Sequence, residues 1–223
     1  MILFWGLRGA KWWAALTALS CGLLLFSNLI YFSGPQPRFL WEKGELAHSP
    51  AWLAAFYFHI VGASLCLAAG LPLMFPRWTK KYPLWHRWLG YVYLTAVLWM
   101  AAPSGVALAF TAKGGAPATV GFALAGVLWW YTTWSGYRAI RRGQIAEHIR
   151  AMVRSYSLAL SAPAFRIIQA ALFLAGLGDA TNYVVSLWLS IAVSVLLAES
   201  CLHRVRGSGA FITRPLSPLG ELS

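Results

Sequence analysis

Three histidines lie in or beside apolar segments of the sequence, where an imidazole is a candidate cofactor ligand. His59 falls inside one segment, whereas His86 and His148 stand at the starts of two others. Imidazole nitrogens from different helices of a bundle can hold haem iron or another metal ion. We therefore predict that His86 and His148 bind one metal ion or one haem b near the same end of a bundle.

Arg166 is unusual for its surroundings, because it lies within the apolar stretch that follows His148. The two residues are 18 positions apart, which is five helical turns and places them on one face. A charged side chain at bilayer depth costs at least ~2.5 kcal/mol and faces the bundle interior, an acid, a carbonyl or a bound anion. The sequence has no acid at that depth. Three interpretations of Arg166 remain open. It shares an anionic or quinone ligand with His59, it donates to a helix carbonyl near Pro103 or Pro163, or its side chain extends to water.

The histidines share their helical faces with small or polar side chains. Gly70 lies on the face of His59, and Gly90 and Tyr93 lie on the face of His86. Small faces let two helices approach closely, but the same clearance also admits a flat macrocycle or ring. Both explanations stay open. If the small faces make room for a cofactor, Tyr93 is a candidate residue for binding it.

Two arginines near the histidine pair are candidates for binding an anion. Arg87 follows His86 directly, and Arg154 lies six residues after His148. A guanidinium group binds a carboxylate or phosphate through two parallel hydrogen bonds. We therefore predict that Arg87 and Arg154 bind the propionates of a haem or another anionic headgroup.

Composition decides the environment in which these residues work. The chain has 223 residues, of which 59% are hydrophobic and 11% are charged, and its mean hydropathy is +0.61. A soluble domain of this size cannot hide so much apolar surface in one core. The chain is therefore predicted to be an integral membrane protein with membrane lipid as a partner. The three cysteines lie in apolar segments and form no CxxC motif.

The predicted fold is an all-α polytopic membrane protein, a bundle of six transmembrane helices. Each apolar segment is close to the ~20 residues that cross the hydrocarbon core as a helix. The bundle is predicted to occupy residues 1–206, followed by a flexible cytoplasmic tail over 207–223. The predicted spans are 12–32, 51–75, 88–110, 119–137, 152–176 and 183–203.

The distribution of basic residues predicts the orientation of the bundle. Fourteen of the 18 Lys and Arg residues fall in the termini and the even-numbered connections, and three fall on the opposite side. Cytoplasmic loops carry the excess of Lys and Arg, so both termini are predicted to be cytoplasmic, in a multi-pass protein of the inner membrane. The net charge of +12 is therefore a topology signal, and nucleic acid is excluded as a partner.

The histidine motifs resemble a known family. "HRWLGYVY" places His86, Arg87, Gly90 and Tyr93 as in the predicted membrane proteins called domain of unknown function 2306. "HIRAMVRSYSLALSAPAFR" likewise matches from His148 to Arg166. The resemblance extends over about residues 55–170 and includes His59. It supports the choice of site residues but implies no established reaction, and Ala151 stands where the family usually has Trp.

A looser architectural likeness is to the transmembrane ascorbate-dependent cytochrome b proteins, which hold haem between histidines of a six-helix bundle. Together these features favour a membrane electron-transfer protein, a possible oxidoreductase component, with haem b or a quinone as cofactor. The first alternative is a non-enzymatic membrane subunit that packs in a larger complex or binds lipid. The second is a small-molecule permease.

Overall fold

The computed structural model describes Gly22 and residues 38–207. The first predicted span, 12–32, therefore lies outside the described residues except for Gly22, and so does the predicted tail beyond Gly207. The described elements are α1 (Arg38–Trp41), a 3-10 turn (Gly44–His48), α2 (Pro50–Leu73), α3 (Pro76–Lys81), α4 (Pro83–Thr95), a π-helical segment (Ala96–Ala101), α5 (Ala102–Ala109), α6 (Gly115–Arg141), α7 (Ile145–Ala159), α8 (Ser161–Leu174) and α9 (Asp179–Gly207).

Every regular element in the described part of the chain is helical, which confirms the all-α prediction. Four helical stretches are long and apolar enough to cross a membrane: Pro50–Leu73, Pro83–Ala109, Ile145–Leu174 and Asp179–His203. Helix α6 has 27 residues and includes the predicted span 119–137. It is not among these four stretches, because its hydroxyl, glycine and arginine residues make it less apolar than they are. The orientation of the bundle stays a prediction.

The stretch Pro83–Ala109 is one continuous helical rod with a wide π turn in its middle. Pro103 has no backbone N–H and cannot donate to the carbonyl one turn earlier. The helix widens just before it, and the N–H of Ala102 bonds to the carbonyl of Val97, five residues back. Such π segments are often found at functional sites. Here the segment presents the carbonyl of Ala101 to the neighbouring helix.

The stretch Ile145–Leu174 is likewise interrupted once, where Leu160 separates α7 from α8. Pro163 lies in the first turn of α8, where its missing N–H is tolerated. Helix α7 itself begins directly after a turn at Gly143, whose φ of 73° favours glycine. It therefore begins seven residues before the predicted span, and His148 lies within its first turn rather than ahead of it.

The core lies where α2, α4, the π segment, α6 and α7 meet. Glycines make these close contacts possible. A Cβ added at Gly62 would lie 2.6 Å from the Cβ of Met100, and one at Gly70 would lie 2.3 Å from the ring of Tyr156. On α2, the small residues that follow His59 therefore serve close helix contact, which is the first of the two explanations offered by the sequence.

Candidate functional site

A buried hydrogen-bonded ring ties α4, α6 and α7 together. The hydroxyl of Thr133 donates to the carbonyl of Trp129 at 2.8 Å, and it therefore accepts from Ser155 at 2.6 Å. Ser155 in turn accepts from the phenol of Tyr93 at 2.8 Å, and Tyr93 accepts from the indole N–H of Trp129 at 3.3 Å. The ring begins and ends at Trp129, and each hydroxyl both donates and accepts. A fully satisfied buried network of this kind fixes one arrangement of its helices.

The ring also sets the register of the two histidine helices. His86 lies seven residues before Tyr93, and His148 lies seven residues before Ser155. Seven residues are nearly two helical turns, so each histidine lies on the same face as its hydroxyl partner and about 10 Å along the axis. Each histidine is therefore the same number of turns from the Tyr93–Ser155 hydrogen bond. The two rings are within range of electrostatic interaction.

Long side chains, rather than backbone contact, bridge the space between α4 and α7. The backbones of these two helices make no direct contact, and the phenol of Tyr93 extends across to Ser155. His86 and His148 therefore lie on two helices that long side chains connect, and their role as a ligand pair stays a prediction.

Each of the two imidazoles has its Nδ1 atom engaged by an oxygen. Nδ1 of His148 lies 2.9 Å from the carbonyl oxygen of Gly136, which only accepts, so this nitrogen carries the proton. Nδ1 of His86 lies 3.4 Å from the hydroxyl of Thr79, which itself donates to the carbonyl of Phe75 at 3.1 Å. Both contacts favour the tautomer whose Nε2 lone pair is available. Metal-binding histidines are commonly oriented by such a bond from the other ring nitrogen.

Two histidines are fewer protein ligands than a bare metal ion usually has. Within the described residues no group of three or more His, Cys, Asp or Glu side chains could hold a metal. Structural and catalytic zinc sites use three or four protein ligands. A haem brings ring nitrogens of its own, so two imidazoles would be enough to hold it.

Clearance differs between the glycines that line these faces. A Cβ at Gly136 would lie 2.7 Å from the sulfur of Met152, so α6 and α7 are in close contact there. By contrast, no described atom lies within 4 Å of a Cβ built at Gly90, one turn after His86. Open space beside His86 is what the second explanation of the small faces requires.

The two predicted propionate ligands differ in their surroundings. Arg154 forms a bidentate pair with Glu199, with Nε–Oε1 at 2.6 Å and Nη2–Oε2 at 3.1 Å. The guanidinium group of Arg154 is therefore already bound to the carboxylate of Glu199 on α9. Arg87 is exposed and forms no ion pair with any described residue.

His59 contacts the π segment of the neighbouring rod. Its Nδ1 donates to the carbonyl oxygen of Ala101 at 2.8 Å, and its ring lies against Gly105, where an added Cβ would be 2.9 Å from Cε1. The carbonyl of Ala101, one of those near Pro103 that we considered as a partner of Arg166, thus accepts a hydrogen bond from His59.

Arg166 does not join His59 in the described structure. Helix α2 carries His59 and α8 carries Arg166, and these two helices do not contact each other. Arg166 is exposed and lies near Tyr183 of α9. The predicted outer site, in which these two side chains share an anionic or quinone ligand, is therefore not assembled by the described residues.

Comparison with protein families covers most of the described chain. Residues 56–202 match the family described as "Predicted membrane protein (DUF2306)". The chain belongs to the DUF2306 family. No curated protein and no solved structure matches it. The matched range contains His59, both residues of the histidine pair and Arg166, so the resemblance noted from the motifs is confirmed.

Sequence reasoning missed several residues that support the site in this DUF2306 chain. Trp129 and Thr133 of α6 complete the hydrogen-bonded ring, and Gly136 and Thr79 supply the oxygens that orient the imidazoles. Trp129, Thr133 and Gly136 recur at intervals of four and three residues, so they form one helical face that could have been recognised as a partner surface. Thr79 lies outside the long helices and gave no such signal.

Proposed function

We propose that His86 and His148 would hold one haem b through their imidazoles and that the protein is a membrane-bound electron-transfer component. One observation carries the proposal. The Tyr93–Ser155 hydrogen bond joins the two histidine helices seven residues after each imidazole, and the two imidazoles are close enough to interact electrostatically. Both rings have Nδ1 engaged by an oxygen, which leaves Nε2 directed to a ligand role.

The residues of the chain have separate tasks in this proposal. His86 and His148 bind through Nε2, while Thr79 and the carbonyl of Gly136 hold their rings in orientation. No described atom lies within 4 Å of a Cβ built at Gly90, one turn after His86. Exposed Arg87, directly after His86, supplies positive charge for a propionate. When bound, haem contributes reversible one-electron transfer at iron.

The site lies at the ends of α4 and α7, so it suits exchange of electrons with a partner at the membrane surface. His86 and His148 are both half-buried rather than enclosed. A redox centre close to one surface is accessible to a donor or acceptor on that side. Other subunits of a membrane complex are the partners that this arrangement favours.

The proposal is tested by purifying the protein after expression with excess haem precursor and recording its visible spectrum before and after reduction. The wild type is expected to carry a Soret band and a reduced α band. His86→Ala and His148→Ala each remove one ligand and are expected to lose most of the bound haem. His203→Ala is the matched control, because this exposed histidine at the end of α9 lies outside the pair.

A wild-type protein without any Soret band under these conditions would overturn the haem proposal. Analysis of an organic extract of the same sample tests the quinone alternative, since a tightly bound quinone copurifies. If neither cofactor is found, the non-enzymatic membrane subunit becomes the better account, and copurifying proteins identify its complex. A permease would instead show transport by reconstituted vesicles.

A further inference from the structure

A second candidate site lies at the same end of the bundle, in the groove between the last turns of α6 and the first turns of α7. The groove has a volume of about 390 Å³, within the ~300–1,000 Å³ of small-molecule sites. Its walls are largely polar and basic. The residues that matter for binding are Ser135, Arg138, Arg142, Gln144, Glu147 and Arg154.

Neighbouring ion pairs leave positive charge in this groove. Glu147 pairs with Arg150 across one turn of α7, and Arg154 pairs with Glu199 of α9. Both carboxylates near the groove are thus already bound by these two arginines. The four arginines at or beside the groove and the two glutamates leave a net charge of +2. The described residues provide no carboxylate partner for Arg138 or Arg142.

Arg138 and Arg142 are placed to grip one anion together. Arg138 lies in the last turn of α6, and Arg142 is the residue directly after the helix. The backbone N–H of Arg142 still donates to the carbonyl of Arg138 at 3.2 Å, so the two residues are one turn apart, and both side chains line the groove. Two guanidinium groups at this spacing can donate to different oxygens of one phosphate. The hydroxyl of Ser135 and the amide of Gln144 line the same groove and add neutral donors.

Aromatic rings beside the groove indicate the depth at which it lies. Tyr131 lines the groove and is largely exposed. Trp130 and Trp134 stack at 5.9 Å on the same part of α6, and both are partly exposed. Tyr and Trp are enriched at the level of lipid headgroups. Basic pockets between transmembrane helices at that level bind anionic lipid headgroups.

We infer that this groove binds a phosphate group through Arg138 and Arg142, and that the phosphate is that of an anionic phospholipid. The inference is independent of the haem proposal, because the described hydrogen bonds of the two imidazoles are to Thr79 and to the carbonyl of Gly136. A free phosphate offers the same oxygens but has no acyl chains to lie along the exposed aromatic rings. The lipid is therefore the favoured source.

The test compares lipid binding by the double variant Arg138→Gln/Arg142→Gln with that by Arg141→Gln/Lys80→Gln. All four positions are exposed and both variants lose two charges, but Arg141 and Lys80 do not line the groove. Purified protein in neutral detergent is titrated with phosphatidylglycerol, phosphatidylcholine or inorganic phosphate. Retained ligand is counted by native mass spectrometry, and the melting temperature is followed in parallel.

Phosphatidylglycerol is expected to bind and to raise the melting temperature, with phosphatidylcholine much weaker. The groove variant should weaken this binding at least about tenfold, because each lost charge-assisted hydrogen bond is worth more than a neutral one. The control variant should stay within about twofold of the wild type. Saturable binding of inorganic phosphate without lipid selectivity would keep the phosphate site but reject the lipid as its source. Equal weakening in the two variants, or no anion binding at all, would overturn the inference.

Discussion

Tyr93 and Ser155 join α4 to α7 through a buried hydrogen bond of 2.8 Å, and each lies seven residues after a histidine of its own helix. The bond therefore does more than satisfy two hydroxyls. It joins two helices whose backbones do not touch, at the same number of residues from His86 as from His148.

Removing the phenol of Tyr93 should destabilise the protein. In Tyr93→Phe the indole N–H of Trp129 loses its acceptor and Ser155 loses its donor. Leaving buried polar groups unsatisfied costs about 1–3 kcal/mol, which thermal unfolding in detergent should detect as a lower melting temperature. Tyr91→Phe is the matched control, since Tyr91 is half exposed on the same helix. Equal effects of the two variants would show that the ring does not contribute.

The glycines of α2 and α4 should respond oppositely to alanine. Gly62→Ala brings a Cβ to within 2.9 Å of the backbone nitrogen of Ala101, which cannot move without shifting the π segment. We expect a loss of about 1–3 kcal/mol from this overpacking. Gly90→Ala meets no described atom within 4 Å, so in haem-free protein it should be neutral or stabilise the helix by up to ~1 kcal/mol. Unfolding curves of the two variants, recorded under the same conditions, test this difference. A destabilised Gly90→Ala would mean that the space beside Gly90 is filled.

His59 should contribute to stability but not to haem binding. His59→Ala removes the donor to the carbonyl of Ala101, which lies in a widened turn and loses its imidazole partner. The expected cost is about 1–3 kcal/mol in thermal unfolding, whereas His48→Ala in the exposed 3-10 turn should change little. The haem content per folded protein should equal that of the wild type. A selective loss of haem in His59→Ala would place His59 in the ligand set instead.

Lys43, in the connection before α2, should make stability depend on alkaline pH. Burial lowers the pKa of Lys43 below its ordinary value of 10.5, while Glu42 raises the pKa and Lys113 lowers it to smaller extents. Between the folded pKa and 10.5 the unfolded chain binds more protons, so the free energy of unfolding rises with pH across that window. Lys43 also donates to the carbonyl of Thr111, and a neutral amine keeps this bond.

Lys43→Met provides the comparison for that pH dependence. The difference in melting temperature between wild type and Lys43→Met should be constant near neutral pH and should grow in favour of the wild type as pH approaches 10.5. Taking the difference removes the titration of other groups shared by both proteins. A difference that shrinks on raising the pH would contradict the lowered pKa.

The long helices were predictable because hydropathy and helical period depend on local sequence. Counting along each helix also placed His86 and His148 at helix ends, but their pairing stays a prediction. The π segment was not predictable. Pro103 indicates that a backbone bond must be missing one turn earlier, but the way the helix adjusts depends on its tertiary neighbours. His59, which contacts the carbonyl of Ala101, is one such neighbour.

The joint site of His59 and Arg166 shows the other limit of sequence reasoning. Position along a helix can be counted, but which helices are neighbours is a property of tertiary contacts. Helices α2 and α8 are not neighbours among the described residues, so a shared depth was not enough. The same limit hid the partnership of Ser155 with Thr133, whose hydroxyls meet only because α6 and α7 pack side by side.

The ligation of the haem iron can be measured most directly by electron paramagnetic resonance of the oxidised, purified protein. Two imidazoles on one iron predict a low-spin signal in the wild type and in His203→Ala. Loss of either ligand predicts a high-spin signal in whatever haem His86→Ala and His148→Ala retain. A wild-type protein that holds no haem, or low-spin spectra that persist in both variants, would contradict the assignment of His86 and His148 as the axial pair.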